Sequence, residues 1–209
     1  AEPDLYWRLG EQGGAATAQD VSWSGTTGGY RGGTVQGIAG AIIGTADTAV
    51  DFDGIGGLVS SNRQVTNPTT YSEELWFSTT TTNGGKLIGF GNAQTGLSGN
   101  YDRHVWMESD GRLTFGTWTG QMNTATSAAS FNDGSWHHLV ATQSGDGMKL
   151  YVDGALVATN GQTQAQAYSG YWRVGGDTSW GGNPWFAGSI DEVAVYPYAL
   201  SAATVAQHH

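Results

Sequence analysis

The sequence predicts an all-β fold: a two-sheet antiparallel β-sandwich with at most one short helix, near residue 200. Three observations predict it. Short runs of alternating apolar and polar residues recur, with turn residues roughly every 8–12 positions. Glycine is abundant and proline scarce, 34 against four, which suits many tight turns between short strands. Nine Trp, nine Tyr and six Phe in 209 residues supply the bulk for a core between two sheets. No linker-like break in composition divides the chain, so residues 1–209 read as a single domain.

The elements follow in order. "DLYWRLG" (4–10) reads as a first strand, and residues 11–48, rich in Gly, Ala and Thr, as long loops with a short strand or two. "TAVDFDG" (48–54) and "GLVSSN" (57–62) are strands around a glycine turn. "YSEELWFST" (71–79) alternates Tyr71, Glu73, Leu75 and Phe77 against Ser72, Glu74, Trp76 and Ser78, the period of a strand. "KLIGFGN" (86–92), "HVWMES" (104–109) and "RLTFGTW" (112–118) follow, the last two joined through Asp110-Gly111. "DGSWHHLVATQS" (133–144) is a near-continuous apolar run, as in a strand buried on both faces. In "MKLYVDGALVAT" (148–159), Asp153-Gly154 marks a two-residue hairpin whose turn positions need positive φ. "YWRVGG" (171–176) and "SIDEVAVYP" (189–197) close the sheets, and "LSAATVAQ" (200–207) reads as the helix, with Ser201 as its N-cap.

Charge narrows the partners. Eight basic against eighteen acidic residues give a net charge of −10, which repels phosphate backbones and anionic membranes. Nucleic acid is therefore excluded as a partner, and a neutral or basic partner or a cation is favoured. No apolar run is long enough to insert in a membrane. The chain has no cysteine, so neither disulfides nor thiolate metal sites occur. The opening "AEPDLYW" reads as the start of a mature segment, and the closing His208 and His209 carry no assigned role.

Six stretches, "YWRLGE", "AVDFDG", "EELWF", "DGSWHHLVAT", "KLYVDGALVA" and "FAGSIDEVAVYPYALS", together resemble the laminin-G-like jelly roll of the concanavalin A-like lectin/glucanase class. The series from Trp136 to Ser201 keeps order and spacing and carries the resemblance, whereas residues 11–48 and 92–132 match loosely. The resemblance implies a non-catalytic ligand-binding or adhesive module of a larger extracellular protein, secreted or cell-surface and bacterial, often with a calcium ion. Some relatives in the class are glycoside hydrolases or polysaccharide lyases.

An active glycosidase needs two carboxyls flanking the scissile bond, about 5–9.5 Å apart. Glucanases of this architecture carry Glu-x-Asp-x-Glu on one strand. This chain has only adjacent pairs, Glu73-Glu74 and Asp191-Glu192, whose members point to opposite faces of a strand. No catalytic residue is therefore assigned, although acids paired across strands remain an alternative route. His137 and His138 diverge likewise, and read as hydrogen-bonded structural residues. The resemblance implies that the two ends of the chain pair, bringing Glu11 and Asp20 toward Asp191. Asp20 and Asp191, with Glu11 and Asp53 as lesser candidates, are the expected calcium ligands; the alternative is that Asp20 caps a turn and Asp191 bonds neighbouring backbone amides.

The aromatic residues divide. Trp7, Trp76, Trp136 and Phe186 sit in strand-like motifs and are expected in the core. The glycine-rich stretch "GDTSWGGNPW" places Asp177, Trp180, Asn183 and Trp185 within a few positions. Flat aromatics flanked by polar side chains suit a sugar, which offers an apolar C–H face and a rim of hydroxyls; the alternative for Trp180 and Trp185 is that each folds back over the hydrophobic edge and meets no ligand. Tyr101, Arg103 and Trp118, from other loop-flanked segments, complete the expected ligand-binding set. The function so read is calcium-assisted polysaccharide or glycan recognition. The alternatives are a structural or adhesive spacer without a glycan site, and a glycan-active hydrolase or lyase.

Overall fold

The computed structural model describes residues 2–209. Seventeen strands run β1 Leu5–Trp7, β2 Thr17–Ala18, β3 Gly28–Arg31, β4 Thr34–Ala39, β5 Thr48–Asp53, β6 Leu58–Ser61, β7 Val65–Thr66, β8 Tyr71–Ser78, β9 Gly85–Gly91, β10 Tyr101–Met107, β11 Arg112–Trp118, β12 Met122–Ser130, β13 Trp136–Ser144, β14 Gly147–Val152, β15 Ala155–Asn160, β16 Ser169–Val174 and β17 Ala187–Tyr196. One helix, α1, spans Ala202–His208. Its N-cap is Ser201, whose hydroxyl accepts the Thr204 N–H at 3.1 Å. No helix among the described residues is long and apolar enough to cross a membrane.

Two antiparallel sheets form the sandwich. The first runs β15-β14-β13-β8-β17-β5-β4, with β1 also on β17; the second runs β12-β11-β10-β9-β16-β6-β3-β2, with β7 on β16. One set of alternate side chains from each sheet meets in the core. Leu75 and Phe77 of β8, Leu139 and Ala141 of β13 and Ile190 of β17 face Ile88 and Phe90 of β9, Val105 of β10, Phe115 of β11 and Trp172 of β16. Each large apolar side chain buried this way contributes about 1.5–3 kcal/mol. Trp7 belongs here too, its indole N–H donating to the Thr26 carbonyl at 2.8 Å.

A smaller cluster lies on the outer face of the first sheet. Val140, Tyr151, Ala194 and Tyr196 pack there with Leu200 and with Val205 of α1. Strand β13 is thus covered on both sides, which explains its unbroken apolar run. The β14–β15 hairpin turns at Asp153 and Gly154 with φ of 51° and 74°.

Two expectations fail at particular strands. Trp76 and Trp136 are only half-buried and lie outside the core cluster. In β8 the alternation that sends Leu75 and Phe77 inward sends Glu74 and Trp76 out. Glu73 and Glu74 do diverge, Glu73 being fully buried and packed inward. Asp191 and Glu192 do not diverge. The register of β17 on β8 slips between Asp191 and Ala194, and Glu192 has a φ of 51°. This bulge lies where β17 leaves β5, paired at Ala187–Ile190, for β1, paired at Val193–Val195. Ile190 and Val193 both reach the core, so the two acids between them are turned outward together.

Candidate ligand-binding cleft

Tyr101, Trp118 and Trp180 line one cleft of about 340 Å³ on the outer side of the second sheet, with Gly99, Asn100 and Gln166. That size is at the small end for ligand sites and accommodates one or two sugar rings. Trp180 is the centre of the aromatic wall. Its ring lies 6.2 Å from Tyr101, 6.0 Å from Trp118, 5.9 Å from Trp106 and 4.6 Å from His104, tilted by 48° to 83° to each. The rings therefore meet at angles and make a concave corner rather than a flat strip. All three lining aromatics are half-buried, with part of their surface left to solvent.

The seat of Trp180 depends on Gly116. A Cβ there would stand 2.6 Å from the Trp180 ring and 2.8 Å from that of Trp106, closer than carbon atoms approach. Below, His104 is fully buried among these rings, and burial, followed by the nearby Lys86 ammonium, holds its pKa well below the usual imidazole range. It is therefore neutral near pH 7. Lys86 is buried as well and pushed down to about 8 by that burial, against the opposing pull of Asp177.

Asp102 fixes the rim from beneath. Its Oδ2 accepts the N–H groups of Trp118 and Gln166, both at 3.0 Å. Its Oδ1 accepts the Arg103 guanidinium at 2.5 Å and the Tyr168 hydroxyl at 3.1 Å. One buried carboxylate thus holds two lining residues in place. Arg103 is fully buried, with φ of 47°, and bonds Asn67 Oδ1 and the carbonyls of Pro68 and Gln166 at 2.7 Å each. It ties loops together and leaves no surface for a ligand, a correction to its expected role. The Gln166 and Asn100 side chains, which sequence reasoning did not select, supply the cleft's amides and face each other at 3.4 Å.

The remaining expected ligand residues hold the loop itself. Asp177 is fully buried and accepts Ser98 N–H and Ser98 Oγ–H at 2.7 Å each, and Thr178 N–H at 2.8 Å. Lys86 Nζ and Arg173 Nε flank it at 3.8 and 3.5 Å. Asn183 Oδ1 accepts the Trp185 N–H at 3.0 Å, and its amide donates to the Gly54 carbonyl at 3.2 Å. Trp185 lies over Gly176, where a Cβ would come within 2.0 Å of its ring. Loop 175–186 therefore closes on itself through Trp185 and projects Trp180 over the sheet.

The four carboxylates expected to bind calcium are not gathered. Asp20 accepts N–H groups of Tyr6, Ser22 and Thr26. Asp53 Oδ1 accepts those of Ile55, Gly56 and Gly57. Asp191 accepts from Ala41 and Glu192, and Glu11 from Gln19 N–H and the Tyr30 hydroxyl. Among the described residues no group of three or more His, Asp or Glu side chains is placed to hold a metal. Most of these oxygens already accept N–H or O–H donors, Asp53 Oδ2 being an exception, and by themselves they do not make up the six to eight oxygens that calcium wants. The two ends of the chain do pair, through β1 on β17, and a bridge between Trp7 and Asp20 joins the segment around Asp20 to β1.

Comparison with known proteins supports the fold. A family model described as the concanavalin A-like lectin/glucanases superfamily, laminin-G type, matches residues 52–206. No curated protein matches. Among solved structures, domain 4 of AbnA, an extracellular GH43 arabinanase from Geobacillus stearothermophilus in complex with arabinotriose, is similar with a TM-score of 0.68 at 18% identity. That likeness covers 99% of this chain and 98% of that one. The binding domain of Paraclostridial Mosquitocidal Protein 1 gives 0.73 at 11%, over 99% and 51%. The Trypanosoma rangeli sialidase in complex with 2,3-difluorosialic acid gives 0.67 at 13%, over 97% and 32%. The chain thus spans about a third of the sialidase's length and half of the mosquitocidal binding domain's. With the family model covering well over half of the chain and the sandwich closed by the strands it matches, the protein belongs to the concanavalin A-like lectin/glucanases superfamily.

Proposed function

We propose that this domain is a non-catalytic carbohydrate-binding module of a larger secreted bacterial protein, and that it binds a neutral glycan in the cleft of Tyr101, Trp118 and Trp180. The observation that carries the reading is the convergence of three half-exposed aromatics with the Asn100 and Gln166 amides around one concavity. Aromatic faces stack on the C–H face of a sugar, and the amides exchange hydrogen bonds with its hydroxyls. No ionised side chain lines this cleft, so the ligand it suits is uncharged. The arabinanase domain, which was solved with arabinotriose and matches end to end, supports a recognition module beside a catalytic one. Calcium has no part in the proposed contacts.

The test is a neutral-oligosaccharide array that includes arabino-, xylo- and gluco-oligomers. The reading expects at least one class to be retained, and retained equally in EDTA. Failure to retain any of them would favour the spacer reading.

A further inference from the structure

A second cleft, of about 450 Å³, lies on the opposite side of the sandwich, on the outer face of the first sheet. Tyr6, Trp76 and Tyr196 line it together with Glu74 and Glu192. Both carboxylates are held rigidly. Glu74 Oε2 accepts the Tyr196 hydroxyl at 2.7 Å, and Oε1 lies 2.7 Å from His138 Nε2. Glu192 accepts the Tyr6 hydroxyl on one oxygen and Arg8 on the other, at 3.2 and 3.3 Å. Arg8 also pairs with Asp47, so the charge it brings is already balanced and the cleft stays net negative.

The chain's own histidines sit against this cleft and show what it accepts. His208 Nδ1 lies 2.9 and 3.2 Å from the two oxygens of Glu74. The His209 ring stacks on Trp76 at 5.7 Å and 25°. The imidazoles stand in for an N–H donor carried beside a flat or apolar ring. Burial favours the neutral form of Glu74, but hydrogen bonds from His138 and Tyr196 outweigh it and lower its pKa. It is therefore ionised near neutral pH, and the facing ring nitrogens donate.

We propose that this cleft is a second binding site, for a cationic amino sugar, with the sugar ring on Trp76 and its ammonium on Glu74 and Glu192. An ammonium offers three donors and no acceptor, which suits the ionised Glu74 carboxylate. At Glu192 burial raises the pKa against the opposing hydrogen bond from Tyr6 and charge of Arg8, and a bound ammonium adds to that opposing pull. The aromatic walls add attraction for a cation. His208 and His209 are displaced when the ligand enters. This site shares no residue with the neutral-glycan cleft, so either assignment stands or falls alone.

Titration calorimetry with a fully de-acetylated chito-oligosaccharide, cationic, and its N-acetylated counterpart, neutral, tests the proposal. The cationic oligomer is expected to bind on the order of tenfold more tightly than the neutral one. Trp76→Ala and Glu74→Gln should each weaken it by about tenfold, whereas Trp180→Ala should leave it unchanged. His208→Ala with His209→Ala should tighten it, because the ligand no longer competes with them. Equal affinity for both oligomers, no heat from the cationic one, or loss in Trp180→Ala with none in Trp76→Ala would overturn the proposal. If Glu74→Gln does not unfold cooperatively, Trp76→Ala alone decides.

Discussion

Gly116 shows how one missing methyl group creates a site. Trp180 rests where a side chain at residue 116 would stand, so Gly116→Val must lift the indole out of its corner. The expected result is a loss of glycan affinity on the order of tenfold or more, with the ring change visible in tryptophan fluorescence. Unchanged affinity would show that Trp180 does not form the ligand surface. Glu73 carries a different consequence. It is fully buried, neither of its oxygens has a protein partner among the described residues, and burial pushes its pKa well above the usual range. A carboxyl kept in an apolar core costs stability that a methionine of similar length does not. Glu73→Met is expected to raise the free energy of unfolding by about 1–3 kcal/mol in urea titrations. A destabilised variant would mean that the carboxyl has a structural role in the core.

Strand β17 shows what a linear pattern conveys and where it stops. Its alternation marks a strand, and the Asp153–Gly154 turn and the two-sided burial of β13 are equally plain in the sequence. The bulge at Asp191–Glu192 is not, because it arises where β17 exchanges one neighbour for another. Strict alternation therefore misplaces one of the two acids. The outward side of Trp76 is legible, because it shares the parity of Ser72 and Glu74, whereas its place in a strand-like motif points to the core. Strand β12, Met122–Ser130, is small and polar and carries little β signal. Arg103 and Asp177 look like surface residues by type, yet partners from distant loops bury them. Tyr101, Trp118 and Trp180 are spread over more than a third of the chain, and only the closed sandwich brings them together.

The bulge also has a pH signature. Burial raises the Asp191 carboxyl to about 7, against opposing N–H bonds from Ala41 and Glu192. Between the ordinary carboxylate range and about 7, the folded chain keeps a proton that the unfolded chain has released. Stability due to this group therefore falls as pH rises through that window and levels off above it. The wild-type free energy of unfolding minus that of Asp191→Asn should decline over the same window. A difference independent of pH would contradict the assignment.

For the molecule as a whole, the sandwich is a scaffold whose two outer faces carry clefts of unlike chemistry, one aromatic and neutral, the other aromatic and acidic. A net charge of −10 opposes the approach of phosphate polymers. The scattered carboxylates predict that its melting temperature is the same in EDTA and in millimolar calcium, since only a ligand of the folded state raises it. An upward shift with calcium would reveal a site that these oxygens do not display. The most direct test of the central claim is titration of a retained neutral oligosaccharide against wild type, Trp180→Ala and Trp76→Ala. The cleft predicts that Trp180→Ala loses about tenfold or more in affinity while Trp76→Ala, which removes a ring from the opposite face of the sandwich, binds as wild type does. Equal binding by wild type and Trp180→Ala would contradict it.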